Sequence, residues 1–267
     1  ASIVDTLDSL EPGRRLVGLA PFDPTVEPFL LEHRHQGTPI LPAVVGMESM
    51  AEAATILAAD GRRVVGLKHM TVHQGLRFHT ERSQRARVIA EATADGVRCR
   101  LDADFCDRHG RLVEPHRLQM DATLELAAEF TPLPRVELGP QPTSWTTHQY
   151  VVDWKTMKFP EEARVSHQEP FQALQDYALV DGGLWALLVV PAKSQIAGDR
   201  SADGWLLPSA TIDAGLLAAD LMVWHTLQIA DLPHSFDRIR LARPLREGES
   251  LTLRAWLRER PDRSSRA

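Results

Sequence analysis

Residues 31–42, LEHRHQGTPILP, gather the most chemically useful side chains of the chain. His33 is followed four positions later by Gly37 and five positions after that by Pro42. An imidazole titrates near neutrality, so a neutral His33 can take a proton from a substrate. Glycine at 37 lets a carbonyl approach the backbone with no Cβ in the way. Pro42 stands directly before the apolar run AVVGMESMAEAATILA. Helical N–H groups there would favour developing negative charge.

The elements that would hold this loop fall into two halves of the chain. Pro132, Pro134, Pro140 and Pro142 crowd the middle, and proline removes backbone donors and fixes φ. The expected organisation is an N-terminal unit over 1–130, a proline-rich linker over 131–147 and a C-terminal unit over 148–267. In the first, a strand over Arg15–Leu19 leads to a helix over Ala43–Ala59. Its Val44, Met47, Met50, Ala51, Ala54, Leu57 and Ala58 recur at helical spacing, and Asp60-Gly61 ends it. Strand-like runs follow at Arg63–Leu67, Val72–Phe78, Ala86–Ala94, Val97–Asp104 and Leu118–Leu126, with Ala94-Asp95-Gly96 as a turn. In the second, strands over Ala173–Leu179 and Leu184–Val190 precede a helix over Ile212–Ile229. Strands over Phe236–Ala242 and Ser250–Leu257 come after it. A sheet wrapped around one apolar helix, done twice, is an α+β layout.

Composition narrows the function. The 267 residues are 43% hydrophobic and carry a net charge of -6. That balance supports a sizeable core and argues against nucleic acid or an anionic membrane as partner. No apolar run is long enough to span a bilayer. The opening ASIVDTLDSLEPGRR lacks a signal-peptide layout and an initiator Met, so a cytoplasmic piece of a longer protein is expected. Cys99 and Cys106 fit neither a disulfide framework nor a zinc motif. His33 with His35, and His69 with His73, are the only close histidine pairs. The second falls in strand-like sequence, so no metal site is expected. There is no phosphate-cradling glycine loop and no nucleophile elbow.

His-x-x-x-Gly-x-x-x-x-Pro before an apolar helix resembles the signature of the double hot-dog dehydratases of polyketide and fatty-acid synthases. HQEPFQALQDYAL, residues 167–179, resembles a second segment of that family through His167, Phe171, Gln172 and Leu174. Gln168 and Glu169 depart from its usual Gly-Pro. LPSATIDAGLLAA resembles the segment that carries the catalytic aspartate, at Asp213, and LPHSFDRIRLARPL, residues 232–245, the strand that follows. The wording is nearest to iterative synthases of enediynes and of polyunsaturated fatty acids.

The resemblance implies two hot-dog sheets, each around one long helix. It implies a β-hydroxyacyl thioester as substrate, borne on the phosphopantetheine arm of an acyl carrier protein, with no cofactor. His33 and Asp213 would be the catalytic pair, with Gly37, Pro42, His167, Phe171 and Leu217 along the substrate. His33 alone could also carry both proton transfers. His167 fits a structural histidine equally well. Relatives often place Gln or His at the position of Leu217, so another group orients Asp213 or its setting is more apolar, which raises a carboxyl pKa. Asp220, two turns along, is the rival acid. Expected partners are the carrier protein and other synthase domains, and either a monomer or a homodimer is allowed. The competing readings are a hot-dog thioesterase, because fold does not fix function, and a degenerate scaffold domain.

Overall fold

A computed structural model describes residues 2–80, 82–107, 109–134, 136–149, 165–167, 171–228 and 232–257. The first half runs β1 (Thr6–Glu11), β2 (Arg15–Phe22), α1 (Pro28–Leu31), β3 (His33–His35), β4 (Thr38–Pro39), α2 (Ala43–Ala58), β5 (Arg63–Val72), β6 (Gln84–Thr93), β7 (Gly96–Cys106) and β8 (Leu112–Ala127). The remainder contributes β9 (Thr146–Thr147), β10 (Val165–His167), β11 (Leu174–Val180), β12 (Gly183–Val189), α3 (Lys193–Ala197), α4 (Ser209–Leu227), β13 (Ser235–Arg240) and β14 (Ser250–Trp256).

Helix α2 lies in a seven-stranded sheet of order β1-β2-β6-β7-β8-β5-β13. Val44, Val45, Met47, Met50, Ala51, Ala54 and Leu57 pack there with Leu16, Val88, Leu101, Met120 and Leu124. The apolar stripe read from the sequence is therefore the core face. The β6–β7 hairpin turns through Ala94-Asp95-Gly96 as expected. Gly96 has φ 136°, and a Cβ on it would strike the Leu124 carbonyl, so only glycine fits. Helix α2 stops at Ala58, with Ala59 left-handed at φ 49°, slightly before the expected Asp60-Gly61.

Helix α4 sits on a four-stranded sheet, β14-β12-β11-β9. Ala214, Leu217, Ala218, Leu221 and Met222 form a second core with Leu174, Tyr177, Leu184, Ala186 and Leu188. Most of the proline-rich stretch has no regular structure, and its end, β9, pairs with β11.

Two expectations are corrected. The strand over Val72–Phe78 does not form as one element. Strand β5 ends at Val72, and the following residues pair instead with the chain before α2: Leu41 N–H donates to the Leu76 carbonyl at 2.9 Å and Phe78 N–H to the Pro39 carbonyl at 3.0 Å. Strand β13, expected beside α4, pairs antiparallel with β5 and extends the first sheet. Phe236 and Ile239 carry it onto the α2 core, and Gly66 gives the Ile239 carbonyl room to approach. The two halves thus share one sheet, which fixes α4 relative to α2. Among the described residues no helix is long and apolar enough to cross a membrane.

Candidate active site

His33 opens β3 and is 8% exposed. Its Nδ1 lies 2.8 Å from the Ile40 carbonyl oxygen. A carbonyl only accepts, so Nδ1 carries the proton and, in the neutral ring, the lone pair is on Nε2. The sequence supplies that acceptor through the reversal between β3 and β4. Gln36 (φ 52°) and Gly37 (φ 76°) are both left-handed and bring Ile40 back over His33. A Cβ on Gly37 would meet nothing within 4 Å, so the backbone conformation is what the structure shows to require glycine. Arg34 holds the same turn, donating from Nη1 to the Gly37 carbonyl at 3.0 Å. Pro42 is the residue before α2, with φ -60° and ψ 137°.

The second half reaches this loop through β10. It pairs antiparallel with β3, and His167 is the register partner of His33. Phe171 is fully buried, with its ring 5.5 Å from that of His33. Three expected site residues, His33, His167 and Phe171, are therefore neighbours in space although they are far apart in the chain. The departures at Gln168 and Glu169 lie outside the described residues.

Asp213 is 7% exposed on α4. Its expected place is the first turn of that helix, where the dipole would favour a carboxylate. The helix begins earlier, at Ser209, and its first turn holds no acid. Asp213 is thus the fifth helical residue, past the free N–H groups, and neither caps the helix nor feels much of its dipole. It lies at a seam. Ala210, Ile212 and Leu216 pack on the α2 core, while Ala214 and Leu217 belong to the α4 core. Leu217, one turn on, is 2% exposed and packed in that second core. Asp220 is half-buried.

One acidic residue of the site region is absent from the sequence-based set. Glu48 of α2 is fully buried and accepts hydrogen bonds from Leu206 N–H, from Leu207 N–H at 2.9 Å and from Ser209 Oγ at 3.1 Å. Its signal is available in the sequence: Glu48 falls between Val44 and Ala51 on the apolar stripe, where an acid has no solvent. Glu52, one turn on, accepts from Ile3 and Val4 N–H at 3.0 and 2.9 Å. Arg200 meets Glu27 and the carbonyls of Ser2 and Pro21. These buried polar groups stitch the N-terminal segment, α2 and the chain before α4 together.

Burial pushes the Glu48 carboxyl up to about 8, against the lowering effect of the Leu206 and Leu207 N–H groups. Its folded value lies above the ordinary one, so it contributes stability that is full in acid and lost as pH rises towards 8. The melting temperature of the wild type, relative to Glu48→Gln, is expected to fall between pH 5 and pH 8 in a thermal-denaturation series. A constant difference across that range would contradict the assignment.

Residues 7–102 match the family model for the polyketide synthase dehydratase domain. A 3-hydroxyacyl-[acyl-carrier-protein] dehydratase of Zymomonas mobilis is 25% identical to this chain over 130 residues, 48% of this chain and 76% of that protein. The fold agrees across almost the whole chain. The dehydratase domain from the CurK module of the curacin polyketide synthase superposes with a TM-score of 0.69, at 14% identity, covering 96% of this chain and 86% of its own. An N-terminal dehydratase from the difficidin assembly line gives 0.63 at 14% identity, covering 91% and 79%. At such identities the likeness is one of fold, and that fold is the double hot-dog expected from the sequence. Among the described residues no three or more His, Cys, Asp or Glu side chains are grouped to hold a metal ion. His73 instead meets Asp121, Nε2 to Oδ1 at 3.0 Å.

Proposed function

We infer that this chain is a dehydratase domain that removes water from a β-hydroxyacyl thioester carried on an acyl carrier protein, leaving an α,β-unsaturated acyl chain. The observation that carries the reading is the 2.8 Å approach of His33 Nδ1 to the Ile40 carbonyl oxygen. A buried imidazole whose Nδ1–H is held by the Ile40 carbonyl keeps a basic Nε2, as a proton-abstracting group needs. His33 Nε2 takes the α-proton. The Cα–Cβ double bond forms as the β-carbon–oxygen bond breaks, and Asp213 gives its proton to the departing hydroxyl, which leaves as water. Return of the proton from His33 to the Asp213 carboxylate resets the pair. Nothing is oxidised or reduced, so the balance calls for no cofactor. Ala43 and Val44 N–H, at the start of α2, have no intrahelical acceptor and suit the thioester oxygen as negative charge grows there.

Support for the pair comes from the CurK dehydratase, whose solved structures include inactive mutants with a histidine replaced by phenylalanine and an aspartate replaced by asparagine. Gly37, Pro42, His167, Phe171 and Leu217 are read as lining the acyl chain and its arm. The wording of both helices favours an iterative synthase of the enediyne type. The setting proposed is the cytoplasm, beside the other domains of a synthase, as a monomer or a homodimer.

The test is to incubate the domain with carrier protein loaded with a β-hydroxyacyl chain or with a saturated one, and to weigh both carriers. Loss of one water from the first alone is expected. Loss of the acyl chain from either would make this a thioesterase, and no change in either would leave a scaffold.

A further inference from the structure

The structure ties the two helices of the candidate site together through a side chain that the proton transfers do not use. Glu48 is six residues past Pro42, on the helix that continues directly from the His33 loop. Its carboxyl receives two backbone N–H groups and one hydroxyl, all from residues 206–209. Ser209 is the first residue of α4, and Asp213 stands one helical turn further on, on the same face. The segment is otherwise held by Trp205, which is buried against Phe29 at 6.1 Å between ring centroids, and by Lys193, whose Nζ donates to the Trp205 carbonyl.

We propose that Glu48 is a positioning residue, which sets where Asp213 stands relative to the His33 loop by fixing the entry of α4 against α2. The proposal rests on the reading of Asp213 as the acid. Its physical content is rigidity. The path from the Glu48 carboxyl to Asp213 is one turn of continuous helix, with no flexible joint to absorb a shift. A bond lost at Ser209 therefore becomes a displacement at Asp213. The Leu206 and Leu207 N–H groups each meet an oxygen of the Glu48 carboxyl, and a side-chain amide offers one oxygen where the carboxyl, protonated or not, offers two. Its NH₂ group would set a donor against a donor. Glu48→Gln accordingly keeps the volume of the side chain and loses part of the grip.

The experiment is a double-mutant cycle on the whole domain with a β-hydroxyacyl carrier as substrate. Glu48→Gln is expected to lower kcat roughly 10- to 100-fold with KM little changed, the size of effect that a misplacement of about 1 Å gives. Asp213→Asn is then expected to cost far less in the Glu48→Gln background than in the wild type, because an acid already out of place has less to lose. A purely structural Glu48 gives losses that multiply, and that result would overturn the proposal. Ser209→Ala, which removes one donor and leaves the carboxyl in place, gives the same cycle at smaller amplitude and decides the matter should Glu48→Gln not fold. The wild-type arm separates the two ideas. An Asp213→Asn variant of undiminished activity defeats the reading of the acid, whereas a damaging Asp213→Asn with multiplicative losses defeats the role of Glu48 alone.

Discussion

His33→Ala is expected to abolish measurable turnover of a β-hydroxyacyl carrier thioester while the domain remains folded. Loss of the base removes a proton transfer that contributes roughly 10²- to 10⁴-fold in rate, and alanine offers no lone pair in its place. The structural cost is small by comparison. The substitution deletes the Nδ1–H bond to the Ile40 carbonyl and the ring contact with Phe171. An acceptor left without its donor costs about 1–3 kcal/mol, and the seven-stranded sheet and both cores do not depend on it. The check is steady-state kinetics beside a circular-dichroism melt. A folded His33→Ala domain turning over at the wild-type rate would falsify the assignment.

Asp213→Asn is expected to reduce kcat by roughly 10²- to 10⁴-fold with KM close to wild type. Asparagine keeps the shape of the side chain but has no acidic proton to give to the leaving hydroxyl. The melting temperature is expected to stay near that of the wild type, because asparagine keeps the volume of the side chain and Asp213 lies past the first turn of α4. The half-buried Asp220 supplies the control: Asp220→Asn retains full activity if Asp213 is the acid, and loses it if the roles are reversed. Two residues acting as a unit are not additive. His33→Ala with Asp213→Asn should therefore be no slower than the worse single variant, measured under single-turnover conditions.

Much of this is legible in the sequence, for local reasons. The apolar stripe of α2 and the turn at Gly96 follow from side-chain periodicity and backbone sterics, which act within a few residues. The spacing of His33, Gly37 and Pro42 is local as well, since the reversal that presents Ile40 to His33 is completed within eight residues. Helix α4 starts three residues before its sequence pattern does, because its first turn is held by Glu48, from another helix, and no pattern near Ser209 announces that. The run after Val72 resembles a continuing strand because Val72, Leu76 and Phe78 fall at even spacing with polar residues between them. Its hydrogen bonds go to Pro39 and Leu41, which only the folded chain brings alongside.

The amino-acid order by itself determined two apolar helices with surrounding strands, a histidine poised before the first and an aspartate near the start of the second. It did so because hydrophobic period, proline and glycine act on the nearest neighbours. Tertiary structure alone decided that β13 completes the sheet of the other half, that β10 lays His167 beside His33, and that Glu48 binds the entry of the helix bearing Asp213. Those outcomes depend on which sheet edge stays open and which buried acid finds donors, and both are settled only when distant segments compete for the same space.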